Sequence, residues 1–376
     1  MKILQAKKSS DSPFEFTSEI IDLHDPLVLV FGNRFMLQDK RLFQEVRELF
    51  PIGHLVFGST SGEILGEKVW DGTVTLTAIE FERGQFLVKS KNVSDFDHND
   101  IALGKSLAME FPMEELKHIF VVSEGSSVNG SDLIAGIESE KDQNIGLSGG
   151  LCGDGDRFET TLVSYNEPPK EGEVVAIGFY GISLEISCAN FGGWTPFGPE
   201  RLITKSRNNI LFELDGKPAL DLYKRYLGKK ASELPKSALL YPLSVKTEDE
   251  NPIVRTILNI DEQRNAMILA GDVPEGSKVQ LMMATVDDIA TGARSAAKLA
   301  VQERQSTTQL ALLVSCVGRK LVMDQRTEEE IEEVTQVVGN KVAISGFYSY
   351  GEMAPFAGQR SCKLHNQTMT LTLISE

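Results

Sequence analysis

Apolar residues fall in short unbroken runs that alternate with helical stripes, and the same order comes round three times. Leu27 to Phe31, LVLVF, is a continuous apolar run of the kind seen in strands buried on both faces. Leu42, Phe43, Val46, Leu49 and Phe50 then share one face of a helix over Gln38–Leu49, which Pro51 stops. A strand near His54–Phe57, a turn Gly58-Ser-Thr-Ser-Gly62-Glu63 and an alternating strand Thr73–Phe81 complete the unit. In the second copy Ile119–Val122 reads as a strand. Ser131 caps a helix carrying Leu133, Ile134 and Ile137. Asn144–Leu147 is a short strand, Gly149–Gly155 a glycine-rich turn and Thr160–Tyr165 a strand. In the third, Ala311–Cys316 is the strand and Thr327 with Glu330 forms a capping box. Ile331, Val334 and Val338 make the buried stripe, and Gly339 ends the helix. Val342–Ser345, the turn Gly346–Glu352 and the alternating Thr368–Ile374 follow.

A strand–helix–strand–turn–strand unit predicts an α/β fold of mixed sheets, because helical crossovers join parallel strands. Glu63 and Glu352 hold matching places in the first and third copies. Between copies two and three the pattern changes. Val174–Phe179 and Ser183–Cys188 read as a hairpin through Gly181, and Trp194 sits in a loop of Gly, Pro and aromatic residues. A strand over Asn209–Leu214 and a helix from Pro218 to Gly228 follow. Residues 229–251 read as a connector, and residues 254–284 as an antiparallel sheet. An alanine-striped helix runs from about Asp287 to Gln305. The expected division is an N-terminal extension, loosely held, over 1–25, one domain over 26–221 and a second over 222–376.

Composition narrows the function. Asp and Glu number 54 against 38 Lys and Arg in 376 residues, a net charge of −16, which argues against a nucleic-acid partner. Cys152, Cys188, Cys316 and Cys362 form no CxxC pair, so reduced thiols are expected. No apolar leader opens the chain and no run reaches the roughly 20 residues of a membrane span. A cytoplasmic protein without membrane insertion is expected.

The catalytic motifs are thin. Gly146-Leu-Ser148-Gly-Gly150 matches a hydrolase nucleophile elbow, but a strand rather than a helix is expected after it. The glycines around Cys152 lack the Lys-Ser/Thr ending of a phosphate loop, and Asp154 and Asp156 lack calcium-loop spacing. No histidine pair at HxH or HxxxH spacing occurs, so neither a metal nor a cofactor is expected. Trp194 either plugs the core or lines a pocket. Arg255, in an apolar strand, needs an anion, from the protein or from a ligand. Glu352 either anchors its turn to backbone amides or binds a ligand ammonium. His365 and Asn366, just before the last strand, could stand beside it.

Several segments resemble the FIST family, the F-box and intracellular signal transduction sensory domains. Gly346-Phe-Tyr-Ser-Tyr-Gly-Glu-Met353 and Cys362-Lys-Leu-His-Asn-Gln-Thr-Met-Thr-Leu-Thr-Leu373 are similar to the end of its C-terminal domain. Phe212-Glu-Leu-Asp-Gly-Lys-Pro-Ala-Leu220 resembles its domain junction. Gly58–Glu63, Gly149-Gly150 with Asp154, and Gly193-Trp194 resemble its N-terminal domain. The resemblance implies a sensory module for a small ligand, with amino acids the proposed class. It also implies a separate signalling protein, a kinase or other output module, because no residues here remain for an output domain.

The expected ligand-binding residues are Ser59, Thr60, Ser61, Glu63, Gly149, Gly150, Asp154, Trp194, Arg255, Tyr348, Tyr350, Glu352, His365 and Asn366, with no catalytic residue assigned. The alternatives are an enzyme of unknown reaction using Glu352 and His365, or a partner-binding scaffold without a small ligand.

Overall fold

A computed structural model describes residues 1–10, 12–248, 251–302 and 304–376. The three copies form three mixed six-stranded sheets around one shared core. In the first, Leu27–Gly32 and His54–Ser59 pair in parallel across the helix Lys40–Leu49. Thr73–Glu80 returns antiparallel beside Leu27–Gly32. Leu116–Ser123, Gly146–Leu151 and Glu173–Tyr180 repeat this around the helix Gly130–Glu140. Leu310–Cys316, Ala343–Ser349 and Met369–Ser375 repeat it around Val317–Met323 and Glu328–Val338.

One strand of each unit leaves its own sheet. Glu63–Leu65 of the first unit pairs with Ala343–Ser349 of the third. Gly351–Pro355 of the third pairs with Gly146–Leu151 of the second, and Val163–Tyr165 of the second pairs with His54–Ser59 of the first. The exchange is cyclic, so the three units are related by an approximate threefold arrangement. Phe31, Val122, Cys152, Val314 and Phe347 from all three units share the central core, with the Phe31 and Phe347 rings 4.7 Å apart. Gly58 and Gly150 must be small there. A Cβ on Gly58 would lie 2.9 Å from Cys152 Sγ, and one on Gly150 would lie 2.5 Å from Val314 Cγ1.

The fold departs from the sequence reading at defined places. Lys2–Ser9 is not loose: it pairs over its whole length with Thr73–Glu80. The hairpin expected at 174–188 does not form. Glu173–Tyr180 already has Gln85–Asn92 on one side and Leu116–Ser123 on the other, so Glu185–Phe191 crosses to the third sheet and pairs with Met369–Ser375. Asn129, not Ser131, caps the second helix, its Oδ1 accepting from the amides of Ser131 and Asp132. Thr327 makes no side-chain cap; Glu330 turns inward to a buried ion pair with Arg319. The glycines 149 and 150 are strand residues rather than turn residues. Gly149 has φ +144° and approaches so closely that a Cβ would lie 2.0 Å from the Val121 carbonyl oxygen.

Inserted into the third unit, between Glu185–Phe191 and the helix Val286–Val301, is a separate antiparallel sheet. Its central strand Thr195–Arg207 pairs with Ile210–Leu214 on one side and Lys278–Met283 on the other. The helix Ala219–Leu227 buries Leu220, Tyr223 and Leu227 against it. The break expected at 221 thus falls inside this helix, while residues 286–376 complete the three-unit body. The expected connector 229–251 consists of two 3-10 turns and the strand Leu243–Lys246, its positions 249 and 250 lying outside the described residues.

Candidate functional site

Ligands of α/β sheets bind outside the carboxyl ends of parallel strands. This chain has three such places, and its register shows how they correspond. The crossing strands set Val163 opposite Gly58, Glu352 opposite Gly150 and Glu63 opposite Phe347. The next residues, Ser59, Leu151 and Tyr348, stand beside Gly32, Ser123 and Ser315 on the parallel partners. Two residues further on, Arg34, Gly125 and Val317 are therefore equivalent positions at the mouths of three crevices.

The first crevice is closed by the chain itself. Arg34 is buried, with one guanidinium nitrogen 3.0 Å from Asp154 and the other 3.0 Å from Glu159. Asp154 also accepts from the amides of Phe158 and Thr160, at 3.0 and 3.2 Å, and from the Tyr350 hydroxyl. Both oxygens of Asp154 are thus engaged, while Arg34 Nε is buried without a hydrogen-bond partner.

The third crevice is an open cavity of about 720 Å³. Thr60, Ser61 and Glu63 of the threaded turn line it together with Val317 and Lys320. Lys320 donates to the Ser61 carbonyl at 2.9 Å and pairs with Asp71. Arg157 and Asp156, at the end of the second unit's turn, close one side.

The second crevice is a cavity of about 390 Å³ roofed by the inserted sheet. Its floor is the loop Gly125–Gly130 with Leu151. Phe158 and Tyr350, stacked with centroids 4.4 Å apart, form one wall. Asn208, Asn209 and Leu269–Asp272 come down from the inserted sheet. A neighbouring cavity of about 360 Å³ shares Leu364 and Asp272 with it and adds Arg255 and Glu138. Arg255 donates to the carbonyls of Leu364 and Asp272, at 2.8 and 3.4 Å, and so joins the inserted sheet to the body. Glu124 holds the floor loop from below. Its carboxylate accepts the amides of Ser126 and Ser127, each at 2.7 Å, and the Thr161 hydroxyl.

The turns singled out in the sequence do meet. The Ser61 amide donates to the Tyr348 carbonyl at 2.8 Å, the Gly153 amide to Ser59 at 3.1 Å and the Tyr350 amide to Leu151 at 3.0 Å. Their buried side chains bind one another. Glu63 accepts from Thr60 Oγ1 at 2.6 Å and from Thr73 Oγ1 at 2.7 Å; Glu352 accepts from Ser349 Oγ at 2.7 Å and from Thr368 Oγ1 at 3.0 Å. Each glutamate ties a turn hydroxyl three residues back to a threonine at the start of the returning strand. Burial pushes both carboxyls up to about 7, against the opposing pull of these hydrogen bonds.

Glu352 is paired across the strands with His365. His365 is buried against Phe356 and bonds the Ala354 carbonyl through Nε2 at 3.0 Å; burial pushes its pKa down to about 4. Asn366 Nδ2 reaches the Tyr350 carbonyl at 3.5 Å. None of these three lines the cavities described above, nor do Ser59, Gly149, Gly150 and Tyr348. Ser59 Oγ accepts the Leu162 amide at 2.9 Å, and the Tyr348 hydroxyl donates to Glu330 at 2.5 Å. Trp194 packs beside Ile289 and Met323 and donates to the Gln367 carbonyl at 2.9 Å. Ser148 of the elbow-like motif is in mid-strand, bonded to His118 Nε2 at 2.6 Å and Thr372 Oγ1 at 2.7 Å. It stands on no strand-to-helix turn.

Of the expected residues, Thr60, Ser61 and Glu63 meet in the third crevice, Tyr350 lines the roofed one and Arg255 its neighbour. Sequence reasoning missed Gly125–Asn129, Asn208, Asn209, Asp272 and Lys320. The first of these carried a signal: Gly-Ser-Ser-Val-Asn between an apolar strand and a helix is small, polar loop material at a strand's carboxyl end. Among the described residues no helix is long and apolar enough to cross a membrane, and no group of three or more His, Cys, Asp or Glu could hold a metal ion.

Comparison with known proteins agrees with this architecture. The family model described as the FIST N domain matches residues 26–217, and that described as the FIST C domain matches residues 219–355. The chain belongs to the FIST family, whose domains are associated with sensory roles in signal transduction and linked to downstream signalling partners. An uncharacterised protein of Methanocaldococcus jannaschii is 22% identical over 371 residues, a match covering 86% of this chain and 69% of that protein.

Proposed function

We propose that this protein is a cytoplasmic sensor whose small ligand, an amino acid or a related metabolite, is held in the crevice between the second unit and the inserted sheet. Occupancy is passed to a separate signalling protein. The observation that carries this reading is the roofed cavity of about 390 Å³, built jointly from the carboxyl end of a parallel strand pair and from the inserted sheet. Its size lies within the roughly 300–1,000 Å³ usual for small-molecule sites. A ligand touching both bodies favours one angle between them, and that differential contact is what a sensor needs. The third crevice is larger but lies away from the inserted sheet and binds its own Lys320.

Thermal shift against a panel of amino acids and related metabolites tests the reading. A binder at one hundred times its Kd raises stability by about 2.7 kcal/mol. Tyr350→Ala, which removes half the aromatic wall, is expected to abolish the shift, whereas Thr60→Val in the third crevice is expected to leave it. A shift lost with Thr60→Val and kept with Tyr350→Ala moves the ligand to the third crevice. No shift from any compound favours a scaffold.

A further inference from the structure

The three crevices are equivalent in register but differ in charge. In the first, the Arg34 guanidinium fills the mouth and binds Asp154 of the threaded segment. In the third, Lys320, one helical turn beyond the Arg34-equivalent Val317, sends its ammonium to the Ser61 carbonyl of the threaded turn. Two of three equivalent places thus hold a cation of the chain's own. In the second, the residue at the spacing of Arg34 from its strand is Gly125 and that at the spacing of Lys320 is Val128, both in the loop before the helix Gly130–Glu140. No Lys, Arg or His is among the described residues lining that cavity; Arg255, behind Gly271, turns its guanidinium to the Leu364 and Asp272 carbonyls. Gly125 cannot carry a side chain, since a Cβ would lie 2.1 Å from the Cys152 carbonyl oxygen.

We infer that the second crevice takes a ligand-borne cation, an amine or guanidine, whose charged group stands where Arg34 and Lys320 stand in the other two. This rests on the proposed site and specifies the ligand's chemistry there. The helix Gly130–Glu140 begins at this crevice, and a helix start ordinarily favours an anion. Here that demand is already met. Asn129 Oδ1 takes the first-turn amides of Ser131 and Asp132. In the loop before the helix, Glu124 takes the amides of Ser126 and Ser127, and Asp100 that of Asn129 at 3.0 Å. Both carboxylates are buried under the floor. Asp272 adds a further carboxylate from the roof, and Asp132 lies close enough to feel it: burial first and Asp272 second hold the Asp132 carboxyl above its ordinary value. The stacked faces of Phe158 and Tyr350 suit a cation and give an anion nothing.

Two measurements test this. Putrescine and agmatine are titrated against succinate and butane-1,4-diol, matched in length but anionic or neutral. The cations are expected to bind, and Asp272→Asn to weaken them about tenfold or more, as loss of a charge-assisted hydrogen bond does. Binding of succinate in preference to the diamines, no binding of either cation, or cation binding indifferent to Asp272→Asn overturns the inference. If succinate binds and Tyr350→Ala abolishes it, the crevice remains the ligand site and only the charge assignment falls. The second measurement reads the protein's own melting as well as diamine binding. Val128→Lys supplies the missing internal cation and Val128→Glu its opposite. Val128 is buried in the core, so both variants lose packing. The lysine variant is expected to melt above the glutamate variant, by a margin that shrinks with Asp272→Asn, and to lose diamine binding. A glutamate variant that melts as high or higher contradicts the proposal. Should neither variant fold, the titrations decide.

Discussion

Arg319→Met is expected to destabilise the protein by about 3–5 kcal/mol, the usual cost of breaking a buried ion pair by removing one partner. Arg319 and Glu330 are both fully buried, with guanidinium nitrogens 3.0 and 2.7 Å from Glu330 Oε2. The same guanidinium donates to the Gly192 and Ile289 carbonyls, the latter at 2.9 Å. Those residues flank the two crossings between the body and the inserted sheet, so one side chain pins both. The loss should be largely electrostatic. Arg319→Met with Glu330→Gln, which keeps an acceptor for Tyr348 and Ser315 but removes the stranded charge, is expected to recover about half of it. Urea unfolding measures both. A loss below about 1 kcal/mol for the single variant would mean that water or another cation reaches Glu330, against the geometry described.

The second large effect is a pH dependence from Glu63 and Glu352. Both carboxyls are raised from 4.5 to about 7, with burial the leading cause. A group whose folded value exceeds its unfolded value binds its proton more tightly in the native state. Its contribution is therefore complete below about 4.5 and is lost as pH rises through about 7. Each is expected to contribute up to about 3 kcal/mol over that window. Melting temperature should thus fall between pH 5 and pH 8 more steeply in the wild type than in Glu63→Gln with Glu352→Gln. Glutamine keeps the shape, accepting from the strand threonine and donating to the turn hydroxyl. Parallel melting curves for the two proteins would show that the native carboxyls are not held protonated.

The repeating unit was legible in the sequence because its main strands are buried on both faces, so LVLVF and LALLVSC stand out as unbroken apolar runs. The exchange between units was not. Glu63–Leu65, Val163–Tyr165 and Gly351–Pro355 are three to five residues long, too short to show a period, and only pairing reveals where they go. Lys2–Ser9 was missed for a related reason: with an outer strand's polar pattern, KILQAKKS reads as loop. At the site, the match between Glu63 and Glu352 was visible, and they do occupy equivalent positions, each bonding a hydroxyl and a threonine of its own unit. The second crevice was invisible because half of it comes from a sheet inserted some 80 residues downstream. Asn208 and Asp272 gain meaning only from what they face.

Hydrogen exchange of the full chain with and without a saturating ligand from the thermal-shift panel tests the central claim most directly. The account predicts slowed exchange at once in the floor loop 125–130 and in the roof segment 268–272, with 60–63 and 317–321 unchanged. Protection confined to 60–63 and 317–321, or to one of the two bodies alone, would contradict a ligand held between the second unit and the inserted sheet.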